Sequence, residues 1–466
     1  MEAVDVEIDP APLWTRLTGG RREPSEPPLI RGRVPFLGCA VPFGKDAPAF
    51  LRRCRAEHGD VFTVLIGGER MTFVLDPHAV PGLLRERKRL SFAALAHDLS
   101  ARAFGHPRLH DPLASDLMRI TGDSLKREEL PLLSARAQQV LDRWLGAQGG
   151  PGWIEAELYD FVQRAMFVVG CESIFGGDWT DARLLDDFLR FDERFPMLAG
   201  GLPAALFPRA YAARRRLAAQ VQPGGADASA FIHARRQRMH GMSLPDIGHV
   251  ELSILWATLA NTLPAAYWTV AHLLADRAAL DRVQQEVDEL DRSHGTATTE
   301  ALASLSLTQS AISEALRLSS ASITIRRVLR DCELPLPDDR SFAARSGDLV
   351  CIFPYLTHHD GEVFDEPERF VVDRFVRNGR PRTFTKGGKR LAVALMPYGG
   401  GVSMCPGRHL ANTEILQFVS GLLTRLELEP VDRVLPPLEY GRAGLGVLPP
   451  QGTFRFRYRL RASDPK

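Results

Sequence analysis

The 466-residue chain has almost no excess charge: 58 Lys and Arg stand against 57 Asp and Glu, a formal net charge of +1. Nothing in that balance asks for nucleic acid or an acidic surface, and no nucleic-acid partner is expected. Cysteine is scarce. Cys39, Cys54, Cys171, Cys332, Cys351 and Cys405 are scattered without C-x-x-C or zinc spacing. That excludes a disulfide framework and fits a reducing compartment. There is no internal repeat and no low-complexity tract. Long apolar runs are nearly missing as well. Residues 1–20 carry acids and prolines instead of a signal peptide or membrane anchor, so a soluble, cytoplasmic protein is expected. The exception is 252–275, which is free of charge and long enough to span a bilayer. Asn261, Thr262, Pro264 and His272 lie in this run and would be costly in lipid, which favours a buried central helix.

What remains is a chain of ordinary globular composition, 45% hydrophobic and 25% charged. Residues 23–28 form a Pro-rich lead-in. Two apolar runs, 61–66 and 71–75, flank Gly67-Gly68 and predict a β-hairpin. From 81 to 290 the pattern is mainly helical, with breaks at Gly149-Gly150-Pro151, Gly200-Gly201-Leu202-Pro203 and Pro223-Gly224-Gly225. A loop follows at 294–299, then a helix over 301–318. Short strands are predicted at 332–336 and 349–353, and a basic loop at 377–390. In the last strand Phe454, Phe456, Tyr458 and Leu460 alternate with arginines, one face inward and one basic face in water. The expectation is a mainly α protein with small β-sheets. Residues 29–466 are read as a single catalytic domain and residues 1–28 as an N-terminal extension.

Two motifs carry chemistry. In Tyr398-Gly399-Gly400-Gly401-Val402-Ser403-Met404-Cys405-Pro406-Gly407, glycines crowd one cysteine just before an apolar helical pattern. Glycine lets backbone approach a flat ligand closely. A cysteine before a helix start is favoured as thiolate, which is what a heme iron needs for O–O chemistry. Upstream, Glu314-Ala-Leu-Arg317 places a carboxylate and a guanidinium on one helix face.

The spacing aromatic-x-x-Gly-x-x-x-Cys-x-Gly-x-x-x-Ala resembles the heme loop of the cytochrome P450 family. Glu314-x-x-Arg317, followed by Pro367-Glu368-Arg369-Phe370, resembles its Glu-Arg-Arg cluster. The segments Glu26-Pro-Pro-Leu, Pro35-Phe-Leu-Gly-Cys39, Ala103-Phe-Gly-His106, Leu255-Trp-Ala, Ala260-Asn-Thr-Leu-Pro-Ala265, Ala315-Leu-Arg-Leu-Ser-Ser-Ala-Ser322 and Arg442-Ala-Gly-Leu-Gly-Val-Leu-Pro-Pro450 narrow the likeness. They resemble the branch holding the sterol 7α-, oxysterol 7α- and sterol 12α-hydroxylases and prostacyclin synthase.

The resemblance implies an α-rich triangular prism with heme b between a central and a proximal helix. Cys405 is then the iron ligand, with Tyr398, Gly401, Gly407 and Ala260 against the cofactor and Arg326 toward a propionate. Ala260 aligns with the acid and Asn261 with the threonine of the acid–threonine pair of other members, so the implied relay is amide-based, with Asn261 and the adjacent Thr262 as its candidate residues. Pro264 removes a backbone donor beside them and is expected to kink the helix. Glu314, Arg317 and Arg369 are structural supports. Trp256, Ala257, Ala260, Asn261, Ser322, Ile323, Gly444 and Leu445 are expected to line an apolar substrate cavity. The implied activity is a monooxygenase hydroxylating a steroid or similar lipid with O2 and two electrons from a ferredoxin or an NADPH-dependent reductase. Lys386, Lys389 and Arg390 are a candidate docking patch for that donor. The alternative is a lipid peroxide isomerase or dehydratase that needs no external electrons.

Overall fold

The computed structural model describes residues 13–150, 152–221, 227–294 and 299–461. The breaks read at Pro151 and Pro223-Gly224-Gly225, and most of the loop after His294, lie outside the described residues. Helices dominate and small sheets flank them, as the pattern predicts.

Five helices build the centre: α1 (Ala182–Ala199), α2 (Leu244–Leu259), α3 (Thr262–Ala275), α4 (Ser306–Ser319) and α5 (Arg408–Arg425). α2 begins where Ser243 accepts a hydrogen bond from the Asp246 N–H, with proline in its first turn. α3 buries all but His272 and Ala275. That is why the sequence there is apolar all round, because no face of the helix meets water. α5 buries Ile415, Phe418, Val419 and Leu422 against the same core. The charge-free run is thus two helices and not one. Among the described residues no helix is long and apolar enough to cross a membrane.

The main sheet has six strands in the order Leu29–Ile30, Val61–Ile66, Glu69–Val74, Leu349–Ile352, Thr324–Val328, Leu90–Ser91. Its hairpin pairs Ile66 with Glu69 across Gly67 and Gly68, whose φ values of 59° and 80° are those a tight hairpin turn requires. The Pro-rich lead-in is fastened to this sheet: Glu26 is buried and pairs with Arg70 and Arg345. A second sheet orders Leu426–Pro430, Arg455–Leu460 and Ile154–Glu157. Phe454, Phe456 and Tyr458 turn inward, but Leu460 is exposed at the strand end. The arginine face is not bare: Arg455, Arg457 and Arg459 pair with Asp432, Glu429 and Glu427.

Three expectations change. The basic segment 377–390 contains two small hairpins in place of a loop. The helix over 301–318 is broken between Thr299–Ala303 and α4. The strand Ile154–Glu157 has no local signal, since its partner Arg455–Leu460 lies at the far end of the chain.

Candidate active site

The cysteine loop is shaped by glycines. Gly399 and Gly401 adopt φ of 67° and 69°, and a Cβ on Gly400 would come within 2.7 Å of Leu84. The Cys405 N–H donates to the Tyr398 carbonyl at 3.0 Å and closes the loop. Gly407 then starts α5 without a side-chain cap, which leaves the first helical N–H groups near the sulfur. Cys405 is exposed, with Val402 and Met404 exposed beside it. Desolvation by the surrounding protein still raises the thiol above its usual value, against the pull of the Gly407 and Arg408 N–H groups and the Arg408 charge. This corrects the expectation of a free thiolate. Burial outweighs the loop's N–H groups, and a cation on the sulfur would favour the thiolate.

Behind the loop lies the Glu314 cluster. Glu314 and Arg317 are fully buried and form a two-pronged pair at 2.7 and 2.8 Å. The second arginine is Arg374 and not Arg369. Arg374 Nε donates to Glu314 Oε1 at 2.7 Å, whereas the Arg369 side chain turns out to Glu366 with both groups about two-thirds exposed. The reason is local. The turn after Pro367 directs the Arg369 carbonyl inward to accept from Arg317 and Arg374, at 3.3 and 3.0 Å, and so sends its side chain to solvent. The remaining guanidinium donors go to the carbonyls of His358, Pro367, Asp365 and Glu366. The Val371 N–H also reaches Glu314. One carboxylate, two guanidiniums and their carbonyls thus form a closed network, the condition under which buried charge is tolerated. The network reaches the cysteine loop through His358. Its carbonyl takes Arg317, and its Nε2 accepts from the Met396 N–H at 3.0 Å. Burial first, then His359 and Arg317, push His358 down to about 3, so the ring is neutral and able to accept. His272, stacked on Phe370 at 4.8 Å, is pushed down to about 4 by burial and Arg317.

The central helix breaks at Ala260-Asn261. In an unbroken helix the Ala260 carbonyl would accept from residue 264, but Pro264 has no N–H. Arg442 Nη2 takes that carbonyl at 3.3 Å instead. Asn261 Oδ1 accepts from the Val447 N–H at 2.9 Å. Because that N–H can only donate, the amide orientation is set. A Cβ on Gly446 would lie 2.0 Å from the same oxygen, so only glycine fits there. Arg442 also pairs with Asp192 of α1, whose other oxygen accepts from Trp256 Nε1 at 2.7 Å. Trp256 stacks on Phe195 with ring centres 3.9 Å apart. It is therefore locked into packing between α1 and α2. Ala260 and Thr262 are buried in the break, and Asn261 is half-buried.

Two turns close on this break. Ser322 bridges Gly444, and the Ile323 N–H donates to the Gly444 carbonyl at 3.1 Å. Ile323, Gly444 and Leu445 are half-buried there. The chain from Ser322 onward also reaches the cysteine loop. Thr324 Oγ1 lies 3.5 Å from where a Gly399 Cβ would be, and Arg326 Nη2 donates to the Gly400 carbonyl at 3.0 Å. Along 251–261, Ser253, Ile254, Trp256, Ala257, Thr258 and Asn261 are the accessible or half-accessible positions, and Ile254, Ala257, Thr258 and Asn261 fall at helical spacing. The accessible positions among them carry no charge, which suits contact with an apolar molecule.

The Cytochrome P450 family profile matches residues 214–456. Cytochrome P450 7B1 of Mus musculus is 34% identical over 96% of this chain and 93% of its own length. The cholesterol 7-alpha-monooxygenase of Cricetulus griseus is 33% identical over 96% of each. The chain belongs to the cytochrome P450 family. Its fold is that of the family too: the retinoic acid-bound cyanobacterial CYP120A1 superposes with a TM-score of 0.73 at 19% identity, covering 94% of this chain and 100% of that one. The protein is a P450 monooxygenase, and its cofactor is heme b.

The residues fit that group. Cys405 is exposed, with the apolar Val402 and Met404 exposed beside it. Gly407 is not demanded by protein packing, since a Cβ there would meet the sulfur at an ordinary 3.9 Å; its smallness is room for a flat ligand. Arg326 is half-buried, donates only to the Ile325 and Gly400 carbonyls, and lies over the Phe92 ring. Among the described residues it has no carboxylate partner, and burial lowers its pKa. A propionate would complete it. Tyr398 is committed elsewhere, its hydroxyl donating to Asn412 Oδ1 at 2.6 Å.

The basic patch is weaker than its sequence. Lys386 pairs with Asp360 and Lys389 with Asp338, which leaves Arg390 as the cation without a described ion pair. Sequence reasoning missed Arg374, His358 and Asp192 outright. Arg374 was within reach, five residues past Arg369 in the same turn-rich segment. Asp192 and His358 carry no local signal at all.

Proposed function

We propose that this P450 hydroxylates a steroid or a lipid of similar shape, with two electrons from a ferredoxin or an NADPH-dependent reductase. The observation that carries the reading is the uncharged face of Ile254, Ala257 and Asn261 beside two interlocked turns, Ser322-Ile323 and Gly444-Leu445. A flat apolar molecule suits such walls, which offer small residues and few polar groups. The cholesterol 7-alpha-monooxygenase relative supports the same class of substrate. Residues 29–466 act in this reading as one catalytic domain.

Bound heme b supplies dioxygen activation at a thiolate-ligated iron. The chain's own residues do the rest. Cys405 is assigned as the thiolate and Arg326 as a propionate partner. Asn261 holds a fixed orientation because Val447 occupies its oxygen, and among the described residues its amide nitrogen donates to none. That nitrogen would be available to hydrogen-bond an ordered water or an oxygen atom held beside it. It orients without ionising, at the position where other family members carry the threonine.

The test uses heme-loaded protein and a surrogate reductase. A steroid should shift the heme spin state, and NADPH-driven turnover should give a hydroxylated product. The Cys405→Ser variant should lose the red-shifted Soret band of the ferrous–CO form. Reductant-independent rearrangement of a lipid peroxide, with no steroid response, would overturn the reading in favour of an isomerase.

A further inference from the structure

Residues 392–399, which lead into the cysteine loop, lie outside every helix and strand. Among the described residues, Met396 is the only one of them whose backbone N–H finds an acceptor, and that acceptor is His358 Nε2 at 3.0 Å. The backbone of His358 is held on both sides. Its N–H donates to the Pro354 carbonyl at 2.9 Å, and its carbonyl takes Arg317 of the closed network at 2.6 Å. Its side chain is fully buried, so the ring does not turn out to water. Two residues beyond Met396, the Tyr398 carbonyl accepts from the Cys405 N–H at 3.0 Å. One imidazole thus joins the buried network to the short segment that closes on the cysteine.

We propose that His358 is a positioning residue for the Cys405 sulfur, fixing through Met396 and Tyr398 the loop in which the cysteine serves as iron ligand. The inference rests on the assignment of Cys405 as that ligand and adds what holds it in place. The Gly407 and Arg408 N–H groups favour the thiolate against burial. They do so only within hydrogen-bond reach of the sulfur. A loop released at Met396 shifts the sulfur away from them and lets it take a proton. The role needs a neutral ring: the Met396 N–H can only donate, so Nε2 must accept, and an imidazolium has no acceptor. A buried backbone N–H left without its acceptor is costly, which gives the contact its hold on the loop.

The experiment compares ferrous–CO spectra of the heme-loaded full chain and its variants at matched heme content. His358→Gln keeps an acceptor near the place of Nε2, whereas His358→Leu supplies bulk without one. Wild type and His358→Gln should both show the red-shifted Soret band. In His358→Leu the ratio of red-shifted to unshifted form should fall about 10- to 100-fold, the range for a buried N–H that loses its acceptor. A merely structural role would lower heme content or melting temperature and leave the band of the loaded fraction red-shifted. Met396→Pro removes the donor and leaves the imidazole in place. It should match His358→Leu, and it decides the matter if His358→Leu does not load heme. A fully red-shifted band in His358→Leu, an equal loss in His358→Gln, or failure of both His358→Leu and Met396→Pro to load heme would each overturn the proposal. If wild type itself lacks the red-shifted band, the Cys405 assignment falls and the proposal with it.

Discussion

Two arginine networks flank the site, and they are built on opposite plans. On the cysteine side, Arg317 and Arg374 share Glu314, and backbone carbonyls take their remaining donors. On the side of the helix break, Arg442 has one carboxylate, one backbone carbonyl and one donor left over. The first network is closed and supports a loop through His358. The second is open and stands where a substrate is proposed to bind. A closed network gives rigidity because every alternative arrangement leaves a buried charge exposed to low dielectric. An open one leaves a buried donor without an acceptor among the described residues, at a cost in stability. The comparison therefore separates a satisfied network from an unsatisfied one by counting donors and acceptors.

The largest effect should come from breaking the closed side. Glu314→Ala leaves two buried guanidiniums without a carboxylate, a loss of about 3–5 kcal/mol. The expected result is heme-poor or unfolded protein, measured by heme content per chain and by thermal unfolding. Within the same network Arg374→Ala should lose several degrees of melting temperature, while Arg369→Ala should stay within about 0.5 kcal/mol of wild type. Equal losses in the two variants would restore Arg369 to the cluster.

Acid should attack the closed side next. His358 and His272 are held neutral, at about 3 and about 4, against about 6.5 in an unfolded chain. Between those values the unfolded state binds more protons, so stability rises with pH. It is full above about pH 6.5 and is lost as pH falls toward 4. The acid limb should amount to about 3 kcal/mol for each histidine between pH 6.5 and 4. His358→Asn should flatten it in a plot of melting temperature against pH. An acid limb unchanged in that variant would remove His358 from the account.

The smallest effect sharpens the open side. Pro264→Ala restores an N–H that can reach the Ala260 carbonyl, so Arg442 should matter less in that background. A double-mutant cycle between Pro264→Ala and Arg442→Met should show a coupling of about 1 kcal/mol in unfolding free energy. Strict additivity would mean that Arg442 does not stand in for the missing donor.

How much of this could be read in advance follows from distance along the chain. Glu314 and Arg317 sit three residues apart, so helix geometry alone puts them together. The cysteine loop is equally local, and the glycines that shape it announce themselves. Pro264 shows in the sequence as a lost donor, and the helix does break there. The Arg369 assignment failed because a turn of a few residues decides which arginine faces inward, and composition does not reveal a turn's direction.

The sequence by itself determined the helix-rich class, the hairpin at Gly67-Gly68, the cysteine loop, the Glu314-Arg317 pair and the family. All of these rest on contacts within a few residues or on motifs of fixed spacing. Only the tertiary structure decided that Arg374 completes the cluster, that His358 carries it to the loop, and that Asp192 and Arg442 meet over the broken helix. Asp192 and Arg442 are 250 positions apart, and no periodicity spans that interval. Such pairs form because folding brings a buried and a partly buried charge together where little water reaches them. That constraint acts on the packed chain and leaves no local trace in its sequence.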